Sequence, residues 1–211
     1  MISPYKPKDV DWSEYYKLAE SDVEWQWRIF ERLLLGPDRS VFDFNVVLDF
    51  ACGHGRIAER FANFAGKLIC SDINHESLGF CRRRFANWQG ACVFDFVVNT
   101  DSHIPQPDGS VTFLYSWDAM VHFEINDLRT YLQEFSRILK TGGCGLIHHS
   151  NYGSFEASEA RVWHQNPHWR ASVSANDVRE LCGWAGIPVL KQELLDWTIP
   201  SLDCITIFQK R

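Results

Sequence analysis

The sequence predicts an α/β fold, with a mostly parallel sheet that is covered by helices on both faces. Three observations carry this prediction. Short apolar runs alternate with amphipathic segments from about residue 46 to 187, a glycine-rich turn follows the first run, and two further runs, 189–197 and 205–209, have no helix between them. Strands that alternate with helices form doubly wound parallel sheets. The last two runs are close enough for a hairpin, so we expect seven strands with an antiparallel C-terminal hairpin.

Each strand and helix rests on a local signal. Residues 46–50 form an apolar run before the glycines, and residues 56–64 repeat apolar side chains at helical spacing. Residues 11–35 predict one or two N-terminal helices that end at Gly36-Pro37. The remaining strands are predicted at 67–71, 92–98, 111–116 and 144–148, and the remaining helices at 76–88, 128–139 and 174–184.

Capping residues predict the ends of two helices. Asn126 or Asp127 can cap the helix that begins near Leu128, and the run Thr141-Gly142-Gly143 is typical of a helix end. Residues 174–177, Ser-Ala-Asn-Asp, resemble a capping box with Asp in place of Glu. These signals place helix boundaries on both sides of the fifth predicted strand.

The composition indicates one globular domain. A chain of 211 residues suits a single domain, residues 1–211, with an N-terminal helical cap at 1–44 and a core at 45–211. The net charge of -6 disfavours a nucleic-acid binder, and no apolar run is long enough to span a membrane. The seven cysteines include no Cys-x-x-Cys pair and are odd in number, so we expect no metal site, no disulfide framework and a reducing, cytoplasmic location.

The glycine-rich turn at 49–56 carries the strongest chemical signal. It follows a strand and opens a helix, where small residues let a ligand approach the backbone and the helix N-terminus favours an anion. Asp72 ends the next strand, seventeen positions after Gly55, and an acid there can accept both hydroxyls of a ribose. The two features together predict a nucleoside-bearing cofactor.

The same glycines leave a second cofactor class open. Gly53, Gly55 and Ala58 fit the Gly-x-Gly-x-x-Ala fingerprint of nicotinamide and flavin enzymes. Asp49 before the glycines, the charged Arg56 after them and the C-terminal hairpin disfavour that class. An NAD(P)-dependent oxidoreductase is therefore not the first prediction, but the shared fingerprint keeps it as the main alternative.

Four motifs in order resemble the class I S-adenosylmethionine-dependent methyltransferases of the small-molecule type. Residues 47–56, Val-Leu-Asp-Phe-Ala-Cys-Gly-His-Gly-Arg, resemble the first motif, with Ala51 where the family usually has a glycine. Residues 70–73, Cys-Ser-Asp-Ile, resemble the second. Residues 108–111, Asp-Gly-Ser-Val, resemble the entry to strand four, and residues 139–143, Leu-Lys-Thr-Gly-Gly, resemble the turn before strand five.

The resemblance implies a Rossmann-like fold, S-adenosylmethionine as methyl donor and a set of donor-binding residues. The acid of the second motif would hold the ribose and the residue after it would pack on adenine, while an acid or hydroxyl after strand three would contact the adenine amine. The implied donor-binding residues are Asp49, Ala51, Gly53, Gly55, Arg56, Asp72, Ile73, Thr100, Asp101, Ser116 and Trp117.

Three histidines are candidates for a catalytic base. Methyl transfer from an activated donor needs alignment of the acceptor, and it needs a base only where the acceptor must lose a proton. His122 follows strand four, and His148 and His149 end strand five, at the sheet edge where such folds bind ligands. His164 and His168 have metal-like spacing, but no cysteine or acid partner accompanies them.

The acceptor is expected to be a small molecule, methylated on an oxygen or nitrogen atom. Residues 1–35 and 151–173 are rich in aromatic side chains, and we expect them to close over the site, with 151–173 as an acceptor-site insertion. A non-catalytic methyltransferase-like partner subunit is a further alternative, whereas RNA as the acceptor is disfavoured by the acidic charge. The identity of the acceptor and the oligomeric state stay open.

Overall fold

The computed structural model describes residues 12–36, 39–155 and 169–211. The chain divides into two compact units, residues 1–101 and residues 102–211. The single domain that the sequence indicates therefore stays a prediction. His164 and His168 lie outside the described residues, as do the first eleven residues of the predicted cap.

The first unit holds three parallel strands in the order β3-β2-β1. Val46 of β1 pairs with Lys67 of β2, which pairs with Val93 of β3. The parallel direction and the strand positions were predicted from the alternation of apolar runs and helices. The elements are α1 (Trp12–Ser21), α2 (Val23–Leu34), β1 (Val46–Phe50), α3 (Ala58–Phe61), β2 (Lys67–Asp72), α4 (His75–Arg84) and β3 (Val93–Val98).

The N-terminal region forms two helices, and α2 packs through a cluster of aromatic rings. Trp27 and Phe30 both meet Phe61 of α3 edge to face, with ring centroids 5.4 and 5.7 Å apart. Their spacing puts them on one face of the helix together with the buried Val23 and Leu34. α2 is therefore a packing helix of the first unit.

The second unit holds four strands in the order β4-β5-β7-β6. β4 runs parallel to β5, whereas β7 is antiparallel to both β5 and β6. The C-terminal hairpin that the sequence predicts is thus present. The elements are β4 (Val111–Ser116), α5 (Ile125–Ile138), β5 (Leu139–Ser150), α6 (Ala175–Trp184), β6 (Val189–Leu195) and β7 (Asp203–Gln209), with a 3₁₀ turn at Met120–His122.

Two predicted boundaries of α5 are wrong. The helix begins at Ile125 after Glu124, so Asn126 and Asp127 lie inside it and neither caps it. The run Thr141-Gly142-Gly143 belongs to β5, which starts directly at Leu139. The reason is pairing with the chain end, because the Gly142 N–H donates to the Lys210 carbonyl at 2.8 Å and so continues the sheet.

Two other helix predictions had opposite outcomes. The capping box of α6 is present, with the Ser174 side chain accepting from the Asp177 N–H and the Asp177 carboxylate accepting from the Ser174 N–H. The helix predicted at 56–64 is short, since only Ala58–Phe61 is α-helical. The glycine turn thus extends further along the chain than the apolar spacing indicates.

The described helices include none that is both long enough and apolar enough to cross a bilayer.

Candidate functional site

The turn after β1 owes its shape to three residues in the left-handed region. Ala51, Gly53 and Gly55 have φ angles of 60°, 54° and 79°. Glycine adopts this conformation without cost, whereas alanine is strained there. The two glycines therefore lie where the backbone conformation requires glycine, and Ala51 adopts the same conformation although alanine disfavours it.

Asp72, at the end of β2, is bonded to this turn. Its Oδ2 accepts from the Gly53 N–H and its Oδ1 accepts from the Asn74 N–H, both at 2.8 Å. Desolvation by burial raises the pKa of the Asp72 carboxyl. The carboxylate thus fixes the glycine turn against the end of the neighbouring strand, at the place where the sequence predicts a ribose contact.

The segment after β3 lies beside the same carboxyl end. The Asn99 N–H donates to the Asp72 carbonyl at 3.0 Å, and the next two residues, Thr100 and Asp101, are exposed. Ile73 is 55% exposed, which is unusual for an isoleucine next to a buried strand. The structure therefore brings the predicted ribose and adenine residues together at one edge.

Tyr16 of α1 lies directly on the glycine turn, which the sequence did not predict. Its ring stacks on the His54 ring, with centroids 3.6 Å apart and planes at 13°, and its hydroxyl lies 3.3 Å from the Ser77 Oγ. A Cβ on Gly53 would lie 2.9 Å from the Tyr16 ring. The sequence predicts that this glycine lets a ligand approach, which stays a prediction; in the structure the first neighbour of a side chain there would be Tyr16.

Gly55 is required by packing beneath the turn. A Cβ there would lie 2.6 Å from the Cys81 Sγ and 3.2 Å from the Phe85 ring, both on the α4 side. The flanking Asp49 is buried and Arg56 is half-buried. These residues shape the turn from below, whereas Tyr16 covers it from above.

Arg84 joins three segments around the turn. Its Nε donates to the His54 carbonyl at 2.9 Å, and its terminal nitrogens pair with Glu59 at 2.8 Å and with Glu20 of α1. This arginine belongs to the Arg82–Arg84 run, the closest approach to a basic cluster in the sequence. Its partners are the acids of the first unit, so it serves to hold α1 in place.

In the second unit, His122 is held as a neutral imidazole. Its Nδ1 lies 3.0 Å from the Trp169 carbonyl oxygen, which can only accept, so Nδ1 carries the proton. Desolvation lowers the pKa of His122 below its ordinary value, which keeps the ring neutral near pH 7. No described residue bonds to Nε2, so the lone pair there can take a proton.

His148 has both ring nitrogens engaged. The Asp118 N–H donates to Nδ1 at 3.2 Å, which leaves Nε2–H to donate to the Asp203 carboxylate at 3.0 Å. Arg170 completes this network with two bonds to the same carboxylate, at 2.8 and 2.7 Å. Although burial raises the pKa of Asp203, the bonds from His148 and Arg170 lower it overall.

His149 is fully buried between β5 and β7. Its Nδ1 donates to the Ser150 carbonyl at 2.8 Å and its Nε2 accepts from the Thr206 hydroxyl at 2.7 Å. Burial lowers the pKa of His149 to about 4. Both histidines of β5 therefore hold positions that favour packing and hydrogen bonding over proton transfer to a ligand.

Ser116 and Trp117 end β4 in buried positions. The Trp117 ring lies 4.5 Å from the His148 ring, so it belongs to the same buried cluster. The Ser116 hydroxyl is buried with no hydrogen-bond partner among the described residues. A buried unsatisfied hydroxyl is uncommon and marks a place that a ligand or water can satisfy.

Comparisons with known proteins find similarity to methyltransferases. A family model for a methyltransferase domain matches residues 47–143. A Mycolicibacterium smegmatis protein named as an S-adenosylmethionine-dependent methyltransferase is 27% identical over 143 residues, 68% of this chain and 52% of that protein. The malonyl-acyl-carrier-protein O-methyltransferase of Yersinia pestis is 29% identical over 120 residues, 57% of this chain and 42% of the relative.

A solved structure supports the fold over almost the whole chain. Geranyl diphosphate C-methyltransferase from Streptomyces coelicolor superposes with a TM-score of 0.70 at 15% identity, and the match covers 98% of this chain and 85% of that one. At this identity the likeness shows the fold alone, and it confirms the predicted Rossmann-like arrangement of seven strands. This chain spans about half the length of the relatives matched by sequence.

Proposed function

We propose that the chain is a class I S-adenosylmethionine-dependent methyltransferase, which transfers the methyl group of S-adenosylmethionine to an oxygen or nitrogen of a small molecule; the methyltransferase-domain match and the sequence relatives support this. The observation that carries the proposal is the bond between Asp72 and the left-handed glycine turn. It puts a buried carboxylate against the glycine turn, at the end of parallel strands where such folds bind ligands.

The described residues fit the donor. The Asp72 carboxylate accepts backbone N–H groups from Gly53, Asn74 and Ile73, and it retains acceptor capacity for a ribose hydroxyl. Ile73 presents an apolar surface to adenine, and Thr100 or Asp101 is placed to meet the exocyclic amine. The bound donor supplies an already activated methyl group, so the protein has only to align the acceptor with it.

We assign the proton transfer to His122. An acceptor hydroxyl or amine gives its proton to Nε2 as its oxygen or nitrogen bonds to the methyl carbon. The bound donor would supply the methyl group and would leave as S-adenosylhomocysteine, whose sulfur keeps the electron pair of the broken carbon–sulfur bond. The Trp169 carbonyl fixes the ring and stabilises the charge that develops on it. His148 and His149 are left out of this role because all four of their ring nitrogens are bonded inside the second unit.

The end of the 151–173 segment supports its assignment to the acceptor side. The Ala171 N–H donates to the Val121 carbonyl at 2.9 Å, next to His122, and the Trp169 carbonyl binds His122 itself. The N-terminal helices are assigned differently, since Tyr16 covers the donor turn of the first unit. We therefore infer that α1 closes on the donor, while residues 151–173 shape the acceptor pocket.

Two relatives differ in the atom that they methylate. The Yersinia pestis relative is an O-methyltransferase, whereas the Streptomyces coelicolor structure is a C-methyltransferase that holds S-adenosylhomocysteine. A base with a free lone pair such as His122 suits an O–H or N–H acceptor, which is why we favour these atoms. The seven free cysteines fit a reducing cytoplasmic location.

The proposal is tested by calorimetry with S-adenosylhomocysteine, NAD, NADP and FAD. We expect S-adenosylhomocysteine alone to bind, and Asp72→Ala to weaken it by about 1.5–3 kcal/mol, the range for hydrogen bonds to a charged group. Asp95→Asn is the matched control, because Asp95 lies on β3 of the same unit. Its carboxylate forms an ion pair with Lys67 of β2 at 3.3 Å. Binding of NAD or NADP in place of S-adenosylhomocysteine would identify an oxidoreductase. Donor binding without turnover of any hydroxyl or amine acceptor would contradict the proposed acceptor atoms, and absence of turnover of carbon acceptors as well would identify a non-catalytic subunit.

A further inference from the structure

Three cysteines meet beneath the glycine turn. The sulfur atoms of Cys52, in the turn itself, Cys70 of β2 and Cys81 of α4 all lie within 4.8 Å of one another, and all three residues are buried. They are separated by eighteen and eleven positions in the sequence, so no Cys-x-x-Cys pattern predicts the cluster. It is the parallel pairing of β1 with β2, together with the packing of α4, that brings them into one cluster.

The cluster differs from ordinary packing of buried thiols. A single buried cysteine behaves as a small hydrophobe, whereas here each sulfur has two other sulfurs as neighbours. Among the described residues this is the one group of three side chains with metal-ligating atoms so close together.

We propose that Cys52, Cys70 and Cys81 form a three-sulfur site for a single soft monovalent cation of the Cu(I) class. Thiolates select soft ions. With metal–sulfur bonds of about 2.3 Å, three sulfurs around a central ion lie about 4 Å apart, so the cluster needs to contract by less than about 1 Å. Structural Zn²⁺ almost always takes four ligands, and the cluster supplies three.

Binding changes the charge of the cluster in a defined way. The Cu(I) ion bonds to three thiolate sulfurs, and the thiol protons leave to solvent, so affinity rises with pH.

The position of the site gives the ion a structural consequence. Cys52 stands between Ala51 and Gly53, and the Cys81 sulfur lies directly under Gly55. A bound ion therefore ties the glycine turn to β2 and α4. The site is independent of the methyl acceptor, and its test needs no turnover.

The test is an anaerobic titration of the reduced full chain with Cu(I), in competition with a colorimetric Cu(I) chelator. We expect one tightly bound ion per chain and a mass increase of one copper in native mass spectrometry. The X-ray absorption spectrum of the bound copper should show three sulfur neighbours. Cys70→Ala and Cys81→Ala should lose the ion, whereas Cys182→Ala, another buried cysteine, should keep it.

Several outcomes would overturn the proposal. They are a wild-type chain that loses Cu(I) to the chelator, equal retention of the ion in Cys70→Ala and Cys81→Ala, or preference for Zn²⁺ with four ligands. Circular dichroism of each variant shows whether it is folded. If both variants were unfolded, the sulfur count from the wild-type spectrum would decide, since fewer than three sulfurs contradicts the site.

Discussion

The Tyr16 ring occupies the place where a side chain on residue 53 would begin, with its Cε1 2.9 Å from the position of that Cβ. Gly53 is thus fixed by two separate constraints, the left-handed φ of 54° and the aromatic ring of α1. The stack with His54 keeps the ring from moving aside. The glycine turn and α1 are therefore packed together.

Gly53→Ala should lower the free energy of unfolding by about 1–3 kcal/mol, because it adds left-handed strain and a contact with Tyr16. Removing the ring relieves only the contact, so the double variant Tyr16→Ala/Gly53→Ala should lose less than the sum of the single losses. Urea denaturation measures all three. Gly183→Ala is the control, since that helical glycine has open space and should gain about 0.5–1 kcal/mol. Strict additivity would show that the Tyr16 ring does not constrain the turn.

Ala51→Gly should raise the free energy of unfolding by about 1 kcal/mol, because an alanine at a φ of 60° carries left-handed strain that glycine does not. Ala62→Gly should do the opposite, since Ala62 has a helical φ of −57°. Chemical denaturation of both variants tests the pair. A loss of stability in Ala51→Gly would mean that packing of the Ala51 methyl group contributes more free energy than the backbone strain costs.

His122→Ala should lower turnover of an O–H or N–H acceptor by about 10²-fold, the usual contribution of a positioned base. His103→Ala, an exposed histidine of the same unit, should leave turnover unchanged. Because desolvation lowers the pKa of His122, the wild-type rate should stay level at neutral pH and fall only below the ordinary histidine value of about 6.5. A pH–rate profile with the same acidic limb in His122→Ala would remove this residue from the mechanism.

Acid should destabilise the second unit through His149. Its pKa is about 4 in the folded chain, against an ordinary value of 6.5. The unfolded chain therefore binds more protons between these two values, and stability present above pH 6.5 is lost as the pH falls towards 4. The loss amounts to about 3 kcal/mol, from about 1.4 kcal/mol per pKa unit. His149→Gln should be less stable at pH 7 but lose less on acidification, and equal acid sensitivity in urea titrations would contradict the assignment.

Local signals were enough for the strands and for one helix cap. The runs at 46–50 and 111–116 became β1 and β4 at the same residues, because apolar runs of that length are buried between helices. The capping box at Ser174 formed because its partner Asp177 lies three residues away. The glycine turn and Asp72 came together because the ends of neighbouring parallel strands must meet.

Contacts between distant segments could not be predicted in the same way. Nothing local to Tyr16 indicates that its ring stacks on His54, and the three-cysteine cluster depends on where α4 docks. Thr141-Gly142-Gly143 is a typical helix end, yet pairing with Lys210 drew it into β5. The histidines of β5 were candidates by position, and only the register with β7 shows that their nitrogens are already bonded.

The contacts of α1 differ in kind from those of α2. This difference bears on how fast a bound nucleoside product would dissociate. α2 is held by buried aromatic rings, whereas the described contacts of α1 with the turn include a half-exposed ion pair from Arg84 to Glu20. Ion pairs of this kind weaken as salt screens them, while buried apolar contacts do not. If α1 closes on the donor, the spent nucleoside should dissociate faster at high ionic strength. The residence time of the product, more than its affinity, would then record how firmly α1 is closed.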